Sequence, residues 1–234
     1  MVRALNTAGQ DHGSRHLPAG GRIAWGRLRA LPLTIFAAVL LLLPTLLPGQ
    51  GLADAQSLSA PPNVVAVHSR KAHGTFGTFN LNLAPTPQNP TTEPRSGGAG
   101  GGHTLVFVFD KAVTSGVAVV TEGVAVAGAP TFAGNEMRVP LSGVANRQYV
   151  TLAVTNVTAT DGGVGGGSVR LGFLVGDVNG SRSVTLSDLL GVNAVLAQLV
   201  SPANYLRDVN ASGTLSLSDN LFVNANLTKV LPAP

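Results

Sequence analysis

The sequence predicts a mainly β chain, an antiparallel β-sandwich followed by a small α-helical domain, and three observations carry that reading. From about Pro61 to Val175, short runs of alternating apolar and polar residues are separated by glycine, proline and threonine breaks. After Gly176 the texture changes to leucine-rich stretches with helical spacing. Each of these stretches follows a copy of one polar loop, DVNGSRSVTLSD at Asp177–Asp188 and DVNASGTLSLSD at Asp208–Asp219.

The head of the chain accounts for most of its charge. The 234 residues carry a formal charge of +4 and no cysteine, with a pI near 10.1. Residues 1–55 hold five arginines against Asp11 and Asp54, a net of +3, which leaves +1 for the rest. A nearly neutral body without a basic run lacks the electrostatic footprint of a nucleic-acid binder. The basic stretch GRIAWGRLRA is followed by LPLTIFAAVLLLLPTLL, Leu31–Leu47, and then by Ala53-Asp54-Ala55. A positive region, an apolar run and an A-x-A site are the layout of a secretory signal peptide over residues 1–55, with the mature chain expected to begin near Gln56 outside the cytoplasm. Seventeen helical residues would span only about 26 Å, and Pro44 interrupts them, so removal is expected over permanent anchoring and membrane contact is expected only through this segment. Without cysteine, neither disulfides nor a thioether-linked lipid are expected.

The sandwich is expected over 61–175. VVAVHS, TFNLNL, TLVFVF, GVAVVTEG, MRVPL, YVTLAV and SVRLGFLV each read as a strand. TFNLNL places Phe79, Leu81 and Leu83 on one face, and TLVFVF does the same with Leu105, Phe107 and Phe109. Seven to nine short strands with no helix between them indicate an Ig-like sandwich. Ala84–His103, proline-rich then glycine-rich, and Thr160–Ser168 read as mobile loops.

Chemistry is hard to find in these strands. His68 and His73 lack the HExxH spacing and read as exposed strand-end residues. Glu93, Asp110, Glu122, Glu136 and Asp161 lie scattered and read as turn and surface groups rather than a general acid/base pair. The glycine runs match neither a P-loop nor a dinucleotide fingerprint, and there is no GxSxG. The chain is therefore expected to be non-catalytic.

The two loops are different. After Asp161 the chain contains four carboxylates, Asp177, Asp188, Asp208 and Asp219, each at place 1 or 12 of a twelve-residue loop. Ca²⁺ takes six to eight oxygens, which an EF-hand-type loop supplies from places 1, 3, 5, 7, 9 and 12. Asp177, Asn179, Ser181, Ser183, Thr185 and Asp188 stand at those places in the first loop; Asp208, Asn210, Ser212, Thr214, Ser216 and Asp219 stand there in the second. The alternative, an Asx-rich turn charging the start of a following helix, fits one such loop, but duplicates that keep the oxygen pattern while their spacers drift favour metal. The loops differ most at place 6, where Gly213 is replaced by Arg182, so the second site is expected to bind more tightly.

Two such loops, each followed but not preceded by a helix, within Gly176 to about Pro232, resemble a type I dockerin, a module of tandem F-hands. The resemblance implies a domain over 176–232 that binds two Ca²⁺ ions and docks onto a cohesin-like module, often in extracellular polysaccharide breakdown. Carried over place by place, it implies Asp177, Asn179, Ser181, Ser183 and Asp188 as one metal site and Asp208, Asn210, Ser212, Thr214 and Asp219 as the other. The chain departs from the family pattern in having serine at place 5 and Leu186-Ser187 and Leu217-Ser218 at places 10 and 11.

Helical spacing puts Leu186, Leu190, Asn193, Ala194 and Ala197 on one stripe, with Leu189, Val192, Leu196 and Leu199 beside it, and repeats Leu217, Leu221, Val223 and Leu227 in the second helix, so the two helices are expected to pack face to face. Such a small unit buries little, so folding and calcium are expected to be coupled. The sequence thus points to a secreted, calcium-dependent docking protein. An accessory carbohydrate-binding module stays open, as does a hydrolase with an unrecognised site in the sandwich.

Overall fold

The computed structural model describes residues 59–234. The expected signal segment, its cleavage site and Gln56 lie outside those residues. The fold is mainly β, with two sheets and two short helices. The strands are β1 (Val64–Ala72), β2 (Thr78–Asn82), β3 (Thr92–Glu93), β4 (His103–Phe109), β5 (Val113–Glu122), β6 (Val126–Ala127), β7 (Thr131–Ala133), β8 (Glu136–Ser142), β9 (Gln148–Ala159) and β10 (Val164–Phe173). The helices are α1 (Leu186–Asn193) and α2 (Leu217–Asn224), with a 3-10 turn at Tyr205–Arg207 between them.

One sheet runs β2-β1-β4-β8-β6, with β7 also on β8; the other runs β3-β10-β9-β5. Every pairing is antiparallel except that of β3 with β10. The two sheets share one core, because period-two patterning gives each an apolar inner face. Leu105, Phe107, Met137 and Val139 of the first sheet meet Val150, Leu152, Val154 and Leu171 of the second. The face expected from TLVFVF is fully buried at Leu105, Phe107 and Phe109.

Both segments expected as mobile loops take part in the sheets. Within Ala84–His103, Thr92 and Glu93 pair with Gly172 and Phe173 of β10, and Glu93 and Arg95 are fully buried. Thr160–Ser168 turns only as far as Gly163, and from Val164 onward its glycines belong to β10. At Gly163 and Gly165 a side chain is excluded because the chain entering β1 runs directly over them. A Cβ on Gly163 would stand 2.1 Å from the Ala60 carbonyl oxygen, and one on Gly165 would stand 2.5 Å from that of Pro62.

The C-terminal segment continues from β10 and packs against one end of the sheets. Its core gathers Val178, Val184, Val192, Val209, Val223 and Leu231 around Leu174 and Tyr149, a residue of β9. The strap that includes β3 ties the two parts together: Gly176 N–H donates to Pro94 O at 2.9 Å and Ser96 N–H donates to Val209 O at 2.7 Å. The described residues all fall within one compact unit, Asp54–Pro234. Among them, no helix is long and apolar enough to cross a membrane.

Candidate metal centre

The internal repeat is visible in the backbone as well as in the letters. Val184 O accepts from Thr228 N–H at 2.9 Å, and Leu215 O, 31 residues on, accepts from Ala197 N–H at 2.9 Å. Ala197 and Thr228, also 31 apart, both have positive φ, 61° and 68°. Each loop is thus closed through its place-8 residue by the segment following the other loop's helix, a two-fold pairing of halves.

Inside each loop the carboxylates fold over the same backbone. In loop one, Asp177 Oδ1 accepts from Ser181 N–H at 2.9 Å and Oδ2 from Arg182 N–H at 2.8 Å. In loop two, Asp208 Oδ1 accepts from Ser212 N–H at 3.0 Å and Oδ2 from Gly213 N–H at 2.8 Å. The place-12 residues cross back in the same way. Asp188 accepts from Asn179 and Thr185 N–H at 3.2 and 2.9 Å, and Asp219 from Asn210 and Ser216 N–H at 3.2 and 3.0 Å. The bond to Thr185 or Ser216 also caps the helix that follows, so the Asx-turn and capping roles are present.

The remaining oxygens gather beside them. Ser181 Oγ lies 3.4 Å from Asp177 Oδ1, 2.9 Å from Ser183 O and 3.3 Å from Ser183 Oγ. Ser212 Oγ lies 3.0 Å from Thr214 Oγ1 and 3.4 Å from Thr214 O. Asn179 and Asn210 each accept from the N–H two residues on, at 2.9 Å, and donate to Ser187 and Ser218. Oxygens at right angles around a Ca²⁺ ion with 2.3–2.6 Å bonds stand about 3.4 Å apart, a spacing these clusters approximate.

All four aspartates are buried, whereas Asn179, Ser181, Ser212 and Thr214 are exposed and Ser183 and Asn210 are half-buried. Among the described residues, no lysine or arginine side chain pairs with Asp177, Asp188 or Asp219. Burial pushes the Asp177 carboxyl up, against the N–H groups of Arg182 and Ser181, and the Asp188 charge pushes the same way. Burial likewise raises Asp219, with the Asp208 charge adding to it. Two buried like charges facing one loop fit a divalent cation. The donor set is modest: among the described residues no group of three or more His, Cys, Asp or Glu gathers at one point. Each loop combines two carboxylates with amide, hydroxyl and carbonyl oxygens, the hard donors that suit calcium.

The helices correct one expectation. Leu186, Leu190, Leu217 and Leu221 do not pack face to face; they are 58–69% exposed. The buried apolar positions are Val192 and Val223, both among those expected from the spacing, and α1 and α2 also meet through Asn220 Nδ2–H, which donates to Asn193 Oδ1 at 2.6 Å. Eight-residue helices present too narrow a stripe to bury both rows, and the core side is the one turned to Tyr149 and Leu174.

Two more corrections concern residues expected at the surface. His73 and Glu93 are fully buried. The parity of β1 carried a signal for His73: Val67 and Ser69 are buried and Lys71 half-buried on the face that His73 continues. Glu93 holds Arg95 by two 2.7 Å bonds, Arg95 Nε to Oε1 and Nη2 to Oε2. Burial opposes the Glu93 charge, but Arg95 outweighs it and brings the carboxyl down to about 2. Burial lowers Lys71 to about 8, and it lowers His103 to about 4 with the Lys71 charge adding. Asp110 and Asp161 are exposed as expected, while Glu122 and Glu136 are partly buried against Arg170 and Arg70. No family model, curated protein or solved structure matches this chain.

Proposed function

We propose that the chain is a secreted, non-catalytic docking protein whose C-terminal segment binds two Ca²⁺ ions in a dockerin-like arrangement and offers a surface to a cohesin-like partner. The sheets would form an Ig-like sandwich that carries this module. One observation supports the reading above others: both loops turn the same oxygens inward, with the same N–H partners, 31 residues apart. A helix-capping turn would need only the place-12 carboxylate. A buried place-1 carboxylate, repeated with its hydroxyl neighbours, is what a cation needs.

In this role Asp177, Asn179, Ser181, Ser183 and Asp188 hold one ion, and Asp208, Asn210, Ser212, Thr214 and Asp219 hold the other. With two carboxylates each, the sites belong in the weak range of about 10⁻⁵ to 10⁻³ M that suits extracellular calcium. The ion would supply the charge that buried carboxylates lack and would tie each loop to its helix.

The test is calorimetric titration of the full chain with CaCl₂, alongside Asp177→Ala and Asp208→Ala. Wild type should take two ions, and each variant should lose one. A flat titration of wild type at millimolar calcium, with unchanged circular dichroism, would sink the calcium reading and the docking reading that depends on it.

A further inference from the structure

We propose that the sandwich completes the second cation site: His73, held in place by Arg95 and Glu93, positions the Asp208 carboxylate for the ion. The inference rests on the calcium reading above and deepens it.

The chain of contacts is continuous. Glu93 fixes the Arg95 guanidinium through its two bonds, and Arg95 Nη2–H also donates to Ser69 O at 2.9 Å. Arg95 Nη1 then lies 3.3 Å from His73 Nε2. A guanidinium can only donate, so Nε2 accepts and the ring proton stays on Nδ1. His73 Nδ1–H therefore donates to Asp208 Oδ2, at 2.8 Å, with both side chains wholly buried. The imidazole cannot swing away. Phe79 meets it edge-on with centroids 5.3 Å apart, Tyr205 does so at 5.9 Å, and those two rings stack on each other.

The backbone is shaped for the same approach. A Cβ on Gly74 would stand 2.3 Å from Ser212 O, and one on Gly213 would stand 2.8 Å from His73 O. Glycine on both sides lets the β1–β2 turn touch loop two. Asp208 Oδ2 thus takes two donors, Gly213 N–H and His73 Nδ1–H, leaving Oδ1 on the side of Ser212. In loop one, Asp177 is held by its own loop alone; among the described residues no sandwich side chain donates to it. The two sites share a backbone pattern but differ in what orients the first ligand. Groups that orient metal ligands from behind are commonly worth 10- to 100-fold in metal affinity.

Coupling of this kind is reciprocal. Calcium in loop two must in turn stabilise the strand ends next to His73 and Arg95, so its protection should reach beyond residues 176–234.

The test uses the full chain. In calcium titrations, His73→Leu should weaken the phase that Asp208→Ala removes by about 10- to 100-fold and leave the other phase unchanged. His73→Asn, which can put an amide N–H close to where Nδ1 stands, should recover most of the loss. Hydrogen exchange of wild type needs no variant: calcium should slow exchange at 69–74 and 93–96 as well as in 176–234. The inference falls if His73→Leu leaves both phases intact, if His73→Asn is no better than His73→Leu, or if calcium protects only 176–234. A wild type that binds no calcium overturns the calcium reading and this inference together, whereas two normal ions without selectivity for His73 overturn this inference alone.

Discussion

Arg182 and Gly213 stand at place 6 of their loops with the same left-handed turn, φ 69° and 86°, although only one of them is glycine. Place 4 reverses the assignment: Gly180 has φ 72° and Ala211 has φ 55°. Each loop therefore carries one residue with a Cβ in a conformation that costs about 1–2 kcal/mol. The strain expected to weaken site one at place 6 is offset at place 4 of site two. What distinguishes the two loops is the tertiary contact of His73 with Asp208. Arg182 also turns its side chain away to donate to Asn89 Oδ1, which removes its cation from the loop interior.

Arg182→Gly and Ala211→Gly should each raise the unfolding free energy, net of the added glycine entropy, by about 0.5–1 kcal/mol. Ala211→Gly should gain more, because Arg182→Gly gives up the bond to Asn89. Urea denaturation in saturating calcium measures both. A destabilised Ala211→Gly, or a larger gain from Arg182→Gly, would contradict the strain account.

Four exposed leucines of the helices carry the second prediction. Leu186, Leu190, Leu217 and Leu221 project from successive turns of two helices that the repeat relates to each other. Replacing all four with serine removes little buried area, so each change should stay within about 0.5 kcal/mol in stability and leave calcium binding at the two proposed sites unchanged. Binding to the proposed cohesin-type partner, measured by surface plasmon resonance in calcium, should fall at least tenfold. Unaltered binding would exclude these leucines from the proposed docking surface.

Acid should destabilise the chain in two stages. The His103 pKa is lowered in the fold, to about 4, so the unfolded chain takes up a proton first, and stability falls as pH drops from about 6.5 to 4. Glu93, lowered to about 2, contributes stability that is present above its unfolded value near 4.3 and lost as pH falls towards 2. Glu122 and Glu136 act with the same sign but are partly exposed and screened. Asp177 and Asp219, raised by burial, work in the opposite direction below neutral pH. Denaturant midpoints between pH 7 and 3 without calcium should show a first decline that His103→Gln flattens. A variant that declines as steeply as wild type from pH 6.5 to 4 would assign that stage to another group.

The sequence by itself determined the elements that depend on neighbours along the chain. Period-two alternation in TLVFVF put Leu105, Phe107 and Phe109 on one face, and they are the buried face of β4. The 31-residue offset put matching aspartates, hydroxyls and helix starts in register, and the backbone repeats with them. Only the tertiary structure decided which side of each short helix is covered, because a stripe of leucines does not say whether Tyr149 or water will meet it. It also decided the fate of His73, Glu93 and Arg95. A lone histidine and two charges in a proline- and glycine-rich stretch have no local reason to be buried; they are buried because β3 brings Glu93 and Arg95 to the histidine that directly follows β1, which in turn meets an aspartate 135 residues further on. Local pattern encodes pleat, turn and repeat, whereas the pairing of distant charges depends on which surfaces close over them and exclude water.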